Sequence, residues 1–319
     1  MRPIYDDSMQ RRHRWRNRLH SALLLGGMAA LLAGCGWILF GAGGALWILV
    51  GSIAGFALGP QVSPAWLMRA YGARLLDRTA FPEGVALVEA LAARAGLRRA
   101  PSLHYLPSRM LNAFAVGRGE DAAIAVTDGM LRTLDRRELT GVLAHEIAHV
   151  RNGDLWIMGV ADAMSRLTGL LSYAGLLLAL FALPLALLGM PLLPLAGGLL
   201  LIAAPTIGSL LQLALSRSRE YDADLAAVEL TGDPLGLASA LGKLERLQGR
   251  YWEEILLPGR RMPQPSLLRT HPPSEQRIAR LMALAGMERA GPALPRQPVA
   301  PRWPVVTAPP RFRRSGLWY

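Results

Sequence analysis

The 319-residue sequence contains one cysteine and one lysine. With Cys35 alone, no disulfide can form within the chain, and a metal site built of thiolates is excluded. Because Lys243 is the only lysine, the net charge of +12 rests almost entirely on arginine. Aromatic residues do not alternate with these arginines and no nucleic-acid-binding module is recognisable. We therefore predict no nucleic-acid partner and expect the basic residues to face anionic lipid.

Two long stretches of the sequence contain no charged residue, namely residues 21–68 and 167–216. Each is long enough for two helices of about 20 residues, the length that crosses a bilayer. Gly41 and its neighbouring glycines break the first stretch, and Pro191 and Pro194 break the second. Arginines flank both stretches but are missing from both turns, so the positive-inside rule places the flanks in the cytoplasm. We predict four transmembrane helices in two hairpins.

A cleavage site for lipoprotein export is a competing interpretation of the first stretch. Leu32-Ala33-Gly34-Cys35 resembles such a site, and a basic segment followed by an apolar one precedes it. The sequence after Cys35 stays apolar for another 25 positions. A mature lipoprotein normally begins with a polar tether, so the transmembrane interpretation is favoured.

These patterns divide the chain into six parts. They are a basic N-terminus (1–20), a first transmembrane hairpin (21–68), a first soluble part (69–153), a second transmembrane hairpin (154–216), a second soluble part (217–289) and a disordered tail rich in proline and arginine (290–319).

The soluble parts have the pattern of an α+β domain that is mostly helical with a small sheet. An apolar period of 3.6 residues predicts a helix over Val85–Ala95. Short apolar stretches predict strands at Ser102–Leu106, Ala113–Val116 and Ala122–Val126. Asp135–Val150 is predicted as a helix whose first turn carries a capping box, with Asp135 and Glu138 as its two members.

His145-Glu146-Ile147-Ala148-His149 is the most informative motif in the chain. Residues four apart on an α-helix share a face, so His145 and His149 can bind one Zn²⁺ ion. Glu146 then lies beside the open position of the metal, where it can act as a general base. Two ligands do not make a catalytic zinc site, which needs a third from elsewhere.

Glu220 is the best candidate for the third ligand. Asp224 lies one turn further on the same face and can accept the ring N–H of a ligating histidine. A hairpin returns the chain to the same side of the membrane, so segments before and after the second hairpin can meet. Asp154 can either support the histidine helix or simply begin the next helix. Without the histidine pair, Glu220 and Asp224 would be interpreted as a solvated helix end.

Four stretches resemble the HtpX family of membrane-integrated zinc metalloproteases, which is related to the CAAX prenyl proteases. They are Asn112–Gly117, His145–His149 with Asn152 and Asp154, Ser216–Asp224, and Thr270–Pro273 with Arg277 and Ile278. The resemblance covers roughly residues 20–285. It implies a zincin-type domain of the gluzincin class, in which His145, His149 and Glu220 bind one zinc ion per chain and Glu146 is the catalytic base.

The resemblance also suggests roles that the residues alone leave open. Either His271 or Tyr221 would donate a hydrogen bond to the oxyanion, although His271 could equally be structural in its proline-flanked turn. Asn112, Ala113 and Phe114 would hold substrate backbone beside an edge strand, whereas Asn112 alone could be a turn residue.

We therefore expect a zinc endopeptidase of the bacterial inner membrane with its catalytic domain on the cytoplasmic side. Its substrates would be polypeptides, in particular misfolded or damaged membrane proteins, as in protein quality control under stress. One alternative is a protease for prenylated proteins, which is disfavoured because that branch has more than four membrane spans. The other is a membrane scaffold with a vestigial zinc site, which is disfavoured because every residue that the chemistry needs is present.

Overall fold

The computed structural model describes residues 7–58, 63–255 and 274–289. The predicted signature at residues 270–273, with His271, and the tail from residue 290 lie outside the described residues. The elements, in chain order, are α1 (Asp7–Leu58), α2 (Pro64–Ala70), β1 (Arg74–Leu75), α3 (Pro82–Arg94), β2 (Ser102–Leu106), β3 (Ala113–Val116), β4 (Ala123–Thr127), α4 (Asp128–Thr133), α5 (Arg136–Asn152), α6 (Asp154–Leu187), α7 (Leu193–Thr231), α8 (Pro234–Ile255) and α9 (Ser274–Arg289).

The chain divides into two compact units. The hairpin unit comprises Met1–Gln61 and Trp156–Arg219, and the sheet unit comprises Val62–Leu155 and Glu220–Tyr319. Three helices, Leu19–Ala54, Asp154–Leu187 and Leu193–Thr231, are long and apolar enough to cross a membrane. Many large apolar side chains of these helices are exposed, which a surface facing lipid requires and a water-soluble surface avoids. The protein is a membrane protein.

The first of these helices is two helices joined at Gly41. Gly41 has a φ of 68° and a ψ of −162°, which no helix contains. A Cβ atom on Gly36 would lie 2.8 Å from the carbonyl oxygen of Gly44, whereas residues eight apart in a continuous helix are about 12 Å apart. The chain therefore folds back at Gly41, as predicted from the glycines in this stretch.

The second hairpin consists of α6 and α7, with a short turn at residues 188–192. Gly189 has a φ of 84° in this turn, a conformation that favours glycine. The two helices approach closely where small residues face each other. A Cβ atom on Gly175 would lie 2.9 Å from the carbonyl oxygen of Gly198.

The sheet unit is built on a four-stranded sheet in the order β1-β2-β4-β3. β2 and β4 are parallel, while the outer strands β1 and β3 are antiparallel to their neighbours. β4 is central and its five residues are all buried. Alternate residues of β4 face opposite sides, with Ile124 and Val126 in the main core and Ala123 and Ala125 in a smaller cluster.

Helices cover both sides of this sheet. The main core contains buried side chains of α3, α5, α8 and α9. On the other side, α2 brings Met68 against Val116 and Ala123. The uncharged stretch predicted as the first hairpin runs to Met68, but α1 ends at Leu58 and Pro64 starts a separate helix. Proline fits the first turn of a helix, where its missing N–H has no partner to lose.

The prediction of a mostly helical α+β fold with a small sheet is confirmed. Strands β2 and β3 have the predicted bounds, and β4 begins one residue later than predicted. The helix over Asp135–Val150 is also present, as α5 with Asp135 at its N-cap.

Candidate metal centre

The histidine motif lies on α5, whose first turn is fixed by a capping box. The Asp135 carboxylate accepts from the Glu138 backbone N–H at 2.9 Å, and the Glu138 carboxylate accepts from the Asp135 backbone N–H at 3.0 Å. Glu138 also accepts from Ser239 Oγ and Lys243 Nζ of α8, each at 2.6 Å. Burial alone would raise the pKa of Glu138, but these partners outweigh it and lower the pKa. The start of α5 is thereby tied to α8.

His145 and His149 lie on the same face of α5, about three and about four turns after Asp135. Both are buried, and their Nε2 atoms are 3.1 Å apart. Their rings meet nearly at right angles, with an interplanar angle of 88°. Two Nε2 atoms this close point at one common position, as the spacing of four residues predicts.

Glu220 of α7 brings the third donor group to the same position. Its Oε2 atom lies 3.3 Å from Nε2 of His145, and its Oε1 atom lies 3.7 Å from Nε2 of His149. These three residues form a cluster whose donor atoms all lie within 4.8 Å of one another. All three side chains belong to the sheet unit.

Carboxylates lie behind both histidines, on the Nδ1 side of each ring. The Asp224 Oδ1 atom lies 3.1 Å from Nδ1 of His145. The Asp154 Oδ2 atom lies 2.8 Å from Nδ1 of His149. Asp154 can reach back because Gly153 ends α5 in the left-handed conformation, with a φ of 70°. A carboxylate on Nδ1 fixes the ring and leaves Nε2 available for a metal.

The buried charged groups at this centre shift the pKa values of one another. Burial alone would lower the pKa of His145, but the Asp224 and Glu220 carboxylates outweigh burial and raise the pKa to about 10. Burial would likewise raise the pKa of Asp224, yet the guanidinium of Arg277 and the ring of His145 lower it. A centre with this many buried anions attracts a cation.

The sequence is similar to known peptidases over most of its length. Residues 82–285 match the profile of Peptidase family M48. The chain belongs to this family. It is 37% identical over 283 residues to the Protease HtpX homolog of Acidiphilium cryptum, covering 84% of this chain and 97% of that one. It is 38% identical over 294 residues to the Protease HtpX homolog of Kineococcus radiotolerans, covering 87% of this chain and 100% of that one.

A likeness to a solved structure is weaker. The crystal structure of S. mikatae Ste24p matches with a TM-score of 0.45 and 19% identity, over 84% of this chain and 65% of that chain. The family membership and the relatives show that the protein is a membrane-bound metalloprotease, which uses a metal cofactor and acts on polypeptides.

In this M48 peptidase, the structure brings together most of the residues singled out from the sequence. They are His145, Glu146, His149, Asp154, Glu220 and Asp224, all of them buried.

Tyr221, predicted as a possible oxyanion donor, uses its hydroxyl in a hydrogen bond within the protein. It donates to Oε1 of Gln276 at 2.9 Å, and the guanidinium of Arg280 lies 3.7 Å above its ring. Both partners belong to α9. The oxyanion role of Tyr221 stays a prediction, as does that of its rival His271.

The predicted substrate-binding residues lie along the edge of the sheet. Ala113 and Phe114 belong to β3, which has β4 as its single neighbouring strand within the described ranges. Asn112 precedes β3, and its backbone is held at both ends by Thr127. The Thr127 hydroxyl accepts from the Asn112 N–H at 3.0 Å and donates to the Asn112 carbonyl at 2.9 Å. The loop before β3 is thereby fixed.

Arg277 belongs to a stretch that resembles the HtpX family, but the sequence assigns it no role at the metal centre. It lies on α9 and is 3% exposed, and its guanidinium contacts both Asp224 and Glu220. Its place in that stretch is the signal that the sequence offers, while its partners Asp224 and Glu220 lie in a different segment of the chain. No spacing rule links residues more than fifty positions apart.

Proposed function

We propose that this M48 peptidase is a zinc-dependent endopeptidase of the bacterial inner membrane, with its sheet unit on the cytoplasmic side. The observation that carries the proposal is the triangle of donor groups from His145, His149 and Glu220. Ligands about 2.0–2.2 Å from a tetrahedral zinc ion are about 3.3–3.6 Å apart. The two Nε2 atoms are 3.1 Å apart, and they lie 3.3 and 3.7 Å from Oε2 and Oε1 of Glu220, so all three distances are close to this requirement.

The kinds of donor also fit zinc. Two imidazoles and one carboxylate leave the fourth position of a tetrahedral site open, as in catalytic zinc centres. The carboxylates behind His145 and His149 supply the outer hydrogen bonds that such ligands usually have. When bound, the zinc ion would supply Lewis acidity, activating a water molecule and polarising the peptide carbonyl.

Glu146 is proposed as the catalytic base. It follows the first ligand on α5 and is 6% exposed, so it is shielded from bulk water. Its carboxylate would accept a proton from the attacking water and hold it until the peptide bond breaks. It would then return the proton to the nitrogen of the departing amine.

The substrate would bind in extended conformation along β3. An edge strand offers unpaired backbone groups, and a peptide that pairs with them becomes an additional strand. Asn112, Ala113 and Phe114 would be the strand positions that contact it. The two hydrogen bonds with Thr127 hold the Asn112 backbone in place at the start of β3, which supports this role.

The membrane spans and the arginines at their ends support the proposed location. Arg166 and Arg217 flank the uncharged part of the second hairpin, whose turn carries no charge. By the positive-inside rule both ends face the cytoplasm. Substrates within reach would include misfolded or damaged membrane proteins.

The decisive experiment replaces Glu146 by glutamine in the full chain purified in detergent. The variant is expected to lose cleavage of an unfolded protein such as casein while still binding one zinc ion per chain, measured by metal analysis. The matched control is Glu120→Gln, since Glu120 is an exposed glutamate in a turn of the same unit. Cleavage at the wild-type rate by the Glu146 variant would refute the mechanism.

Two further measurements separate the remaining possibilities. A topology reporter fused after Gly119 should be cytoplasmic, and one fused after Met190 should be exported. The opposite result would refute the proposed orientation. A strong preference for a prenylated peptide over the same peptide without the lipid would favour the prenyl-protein alternative.

A further inference from the structure

The sheet unit contains a buried guanidinium in direct contact with two of the carboxylates at the metal centre. Nε of Arg277 donates to Asp224 Oδ2 at 2.8 Å, and its Nη2 donates to Asp224 Oδ1 at 2.6 Å. The remaining terminal nitrogen, Nη1, lies 2.6 Å from Glu220 Oε2. The planar guanidinium of Arg277 thus binds the Asp224 carboxylate through two parallel hydrogen bonds. Its third nitrogen contacts the Glu220 carboxylate.

The Asp224 oxygen that Arg277 contacts also faces a proposed metal ligand. Asp224 Oδ1 lies 2.6 Å from Arg277 Nη2 and 3.1 Å from His145 Nδ1. Two parallel hydrogen bonds prevent the carboxylate from rotating about its own bond. The guanidinium therefore orients the His145 ring through Asp224, and it also faces the ring directly, with Nη2 3.5 Å from Nδ1 and 3.4 Å from Nε2.

The guanidinium of Arg277 also compensates negative charge at the metal centre. Four carboxylates at the centre are at most 6% exposed, those of Glu146, Asp154, Glu220 and Asp224. A divalent metal ion would compensate two of their charges, and Arg277 would compensate a third. Burial works against the charged form of Arg277, but Asp224, Glu220 and Glu146 outweigh it and raise its pKa. The side chain stays charged at every physiological pH.

The backbone that carries Arg277 is anchored independently of the metal centre. Leu281, one turn further along the same face of α9, is 1% exposed and belongs to the main core. Ile278 packs against the same core. The guanidinium therefore projects from a helix that is held in place by the core. A side chain can orient neighbouring groups only if its own backbone is fixed in this way.

We propose that Arg277 is a positioning residue of the metal site, acting through Asp224 and Glu220 on the metal-binding groups and not on the substrate. Helix α9 is thereby part of the metal centre, although it supplies none of the proposed ligands. This inference rests on the metal site proposed above.

The test measures the zinc dissociation constant of the full chain in detergent by competition with a chelator. Losing an outer hydrogen-bonding partner of a metal ligand typically weakens binding by about 10- to 100-fold, and we expect that loss for Arg277→Met. Arg277→Lys keeps the charge but not the paired hydrogen bonds, so it should bind zinc with intermediate affinity. The control is Arg246→Met, which removes an exposed guanidinium from α8 of the same unit and should leave the zinc affinity unchanged.

A double variant tests whether Arg277 acts through Asp224. If it does, Arg277→Met combined with Asp224→Asn weakens zinc binding by much less than the product of the two separate effects. If the double variant weakens zinc binding by the full product of the two single effects, Arg277 does not act through Asp224.

Wild-type zinc affinity in both Arg277 variants, with a raised KM or a lowered kcat, would overturn the proposal and assign Arg277 to the substrate. Gel filtration shows whether Arg277→Met folds. If it does not, the test uses Arg277→Lys alone, and a wild-type zinc affinity in that variant would refute the proposed positioning role of Arg277. A wild-type chain that binds no zinc would instead refute the proposed function, so the two failures are distinguishable.

Discussion

Replacing Gly175 by alanine is expected to loosen the second hairpin and to expose the single thiol of the chain. A Cβ atom at this position would lie 2.4 Å from the Cβ atom of Leu201 and 2.9 Å from the carbonyl oxygen of Gly198. The oxygen belongs to the backbone, so no side-chain rotation can relieve that contact. α7 must move away by about 1 Å to restore ordinary van der Waals contact.

The size of the effect follows from two opposing contributions. Overpacking of this kind costs about 1–3 kcal/mol. Alanine gains up to about 1 kcal/mol over glycine in a helix interior. Because the backbone oxygen of Gly198 cannot rotate away, the cost lies in the upper part of that range, and the expected net loss is about 1–2 kcal/mol. Gly169 is the matched control, because a Cβ atom there meets nothing within 4 Å. Gly169→Ala therefore has the helix-forming gain without the clash, and the two substitutions should differ in sign.

Cys35 is a native probe for this loosening. Its side chain is 3% exposed and packs in one cluster with Leu201 and Ala204 of α7. A maleimide can react only when this cluster opens, so the labelling rate follows the free energy of opening. A loss of 1–2 kcal/mol should speed the labelling about 5- to 30-fold in mild detergent. The Gly169 variant should react no faster than wild type.

Labelling in SDS, where all three proteins are unfolded, should be equally fast and provides the reference. Equal rates for the two glycine variants in mild detergent would refute the conclusion that close packing at Gly175 holds the hairpin together. A Cys35 that fails to react even in SDS would carry a covalent modification. That result would revive the lipoprotein interpretation of this segment.

Two further predictions concern the sheet unit. Asp154→Asn should weaken zinc binding about 10-fold, measured by chelator competition, because a neutral amide replaces the carboxylate 2.8 Å from Nδ1 of His149; unchanged affinity would contradict this role. Glu138→Gln should lower the free energy of unfolding by about 1–3 kcal/mol at pH 7, because it loses the ion pair with Lys243. Since folding lowers the pKa of Glu138, its contribution is present above the ordinary carboxyl pKa and is lost as the pH falls through the lowered value. The difference between variant and wild type should therefore shrink in acid, and a constant difference would contradict the argument.

The parts of the site that were predictable depend on local spacing. His145 and His149 lie on one face because four residues make about one helical turn, and any helix would place them so. The cap at Asp135 and the strand at β3 are also decided by neighbouring residues. The identification of Glu220 needed more, because the hairpin that returns the chain had to be inferred from an uncharged stretch.

The parts that escaped prediction depend on partners far apart in the chain. Lys243 pairs with Glu138 across 105 positions, and Arg277 pairs with Asp224 across 53. Such pairs arise because α8 and α9 pack on the same core as α5, and apolar periodicity does not specify which helices become neighbours. A single sequence shows that these charges exist but not where each one is compensated.

The order of the ligands along the chain bears on how the centre forms. His149 and Glu220 are separated by about 70 residues, and closing a flexible loop of that length costs several kcal/mol of chain entropy. The intervening chain is not flexible, since α6 and α7 pack against each other and bury Ala161 and Leu215 in one cluster. The hairpin thus brings the chain back before any metal binds, and the metal does not bear that entropic cost. Metal binding then depends mainly on the orientation of the donor groups, which is the task assigned to Asp154, Asp224 and Arg277.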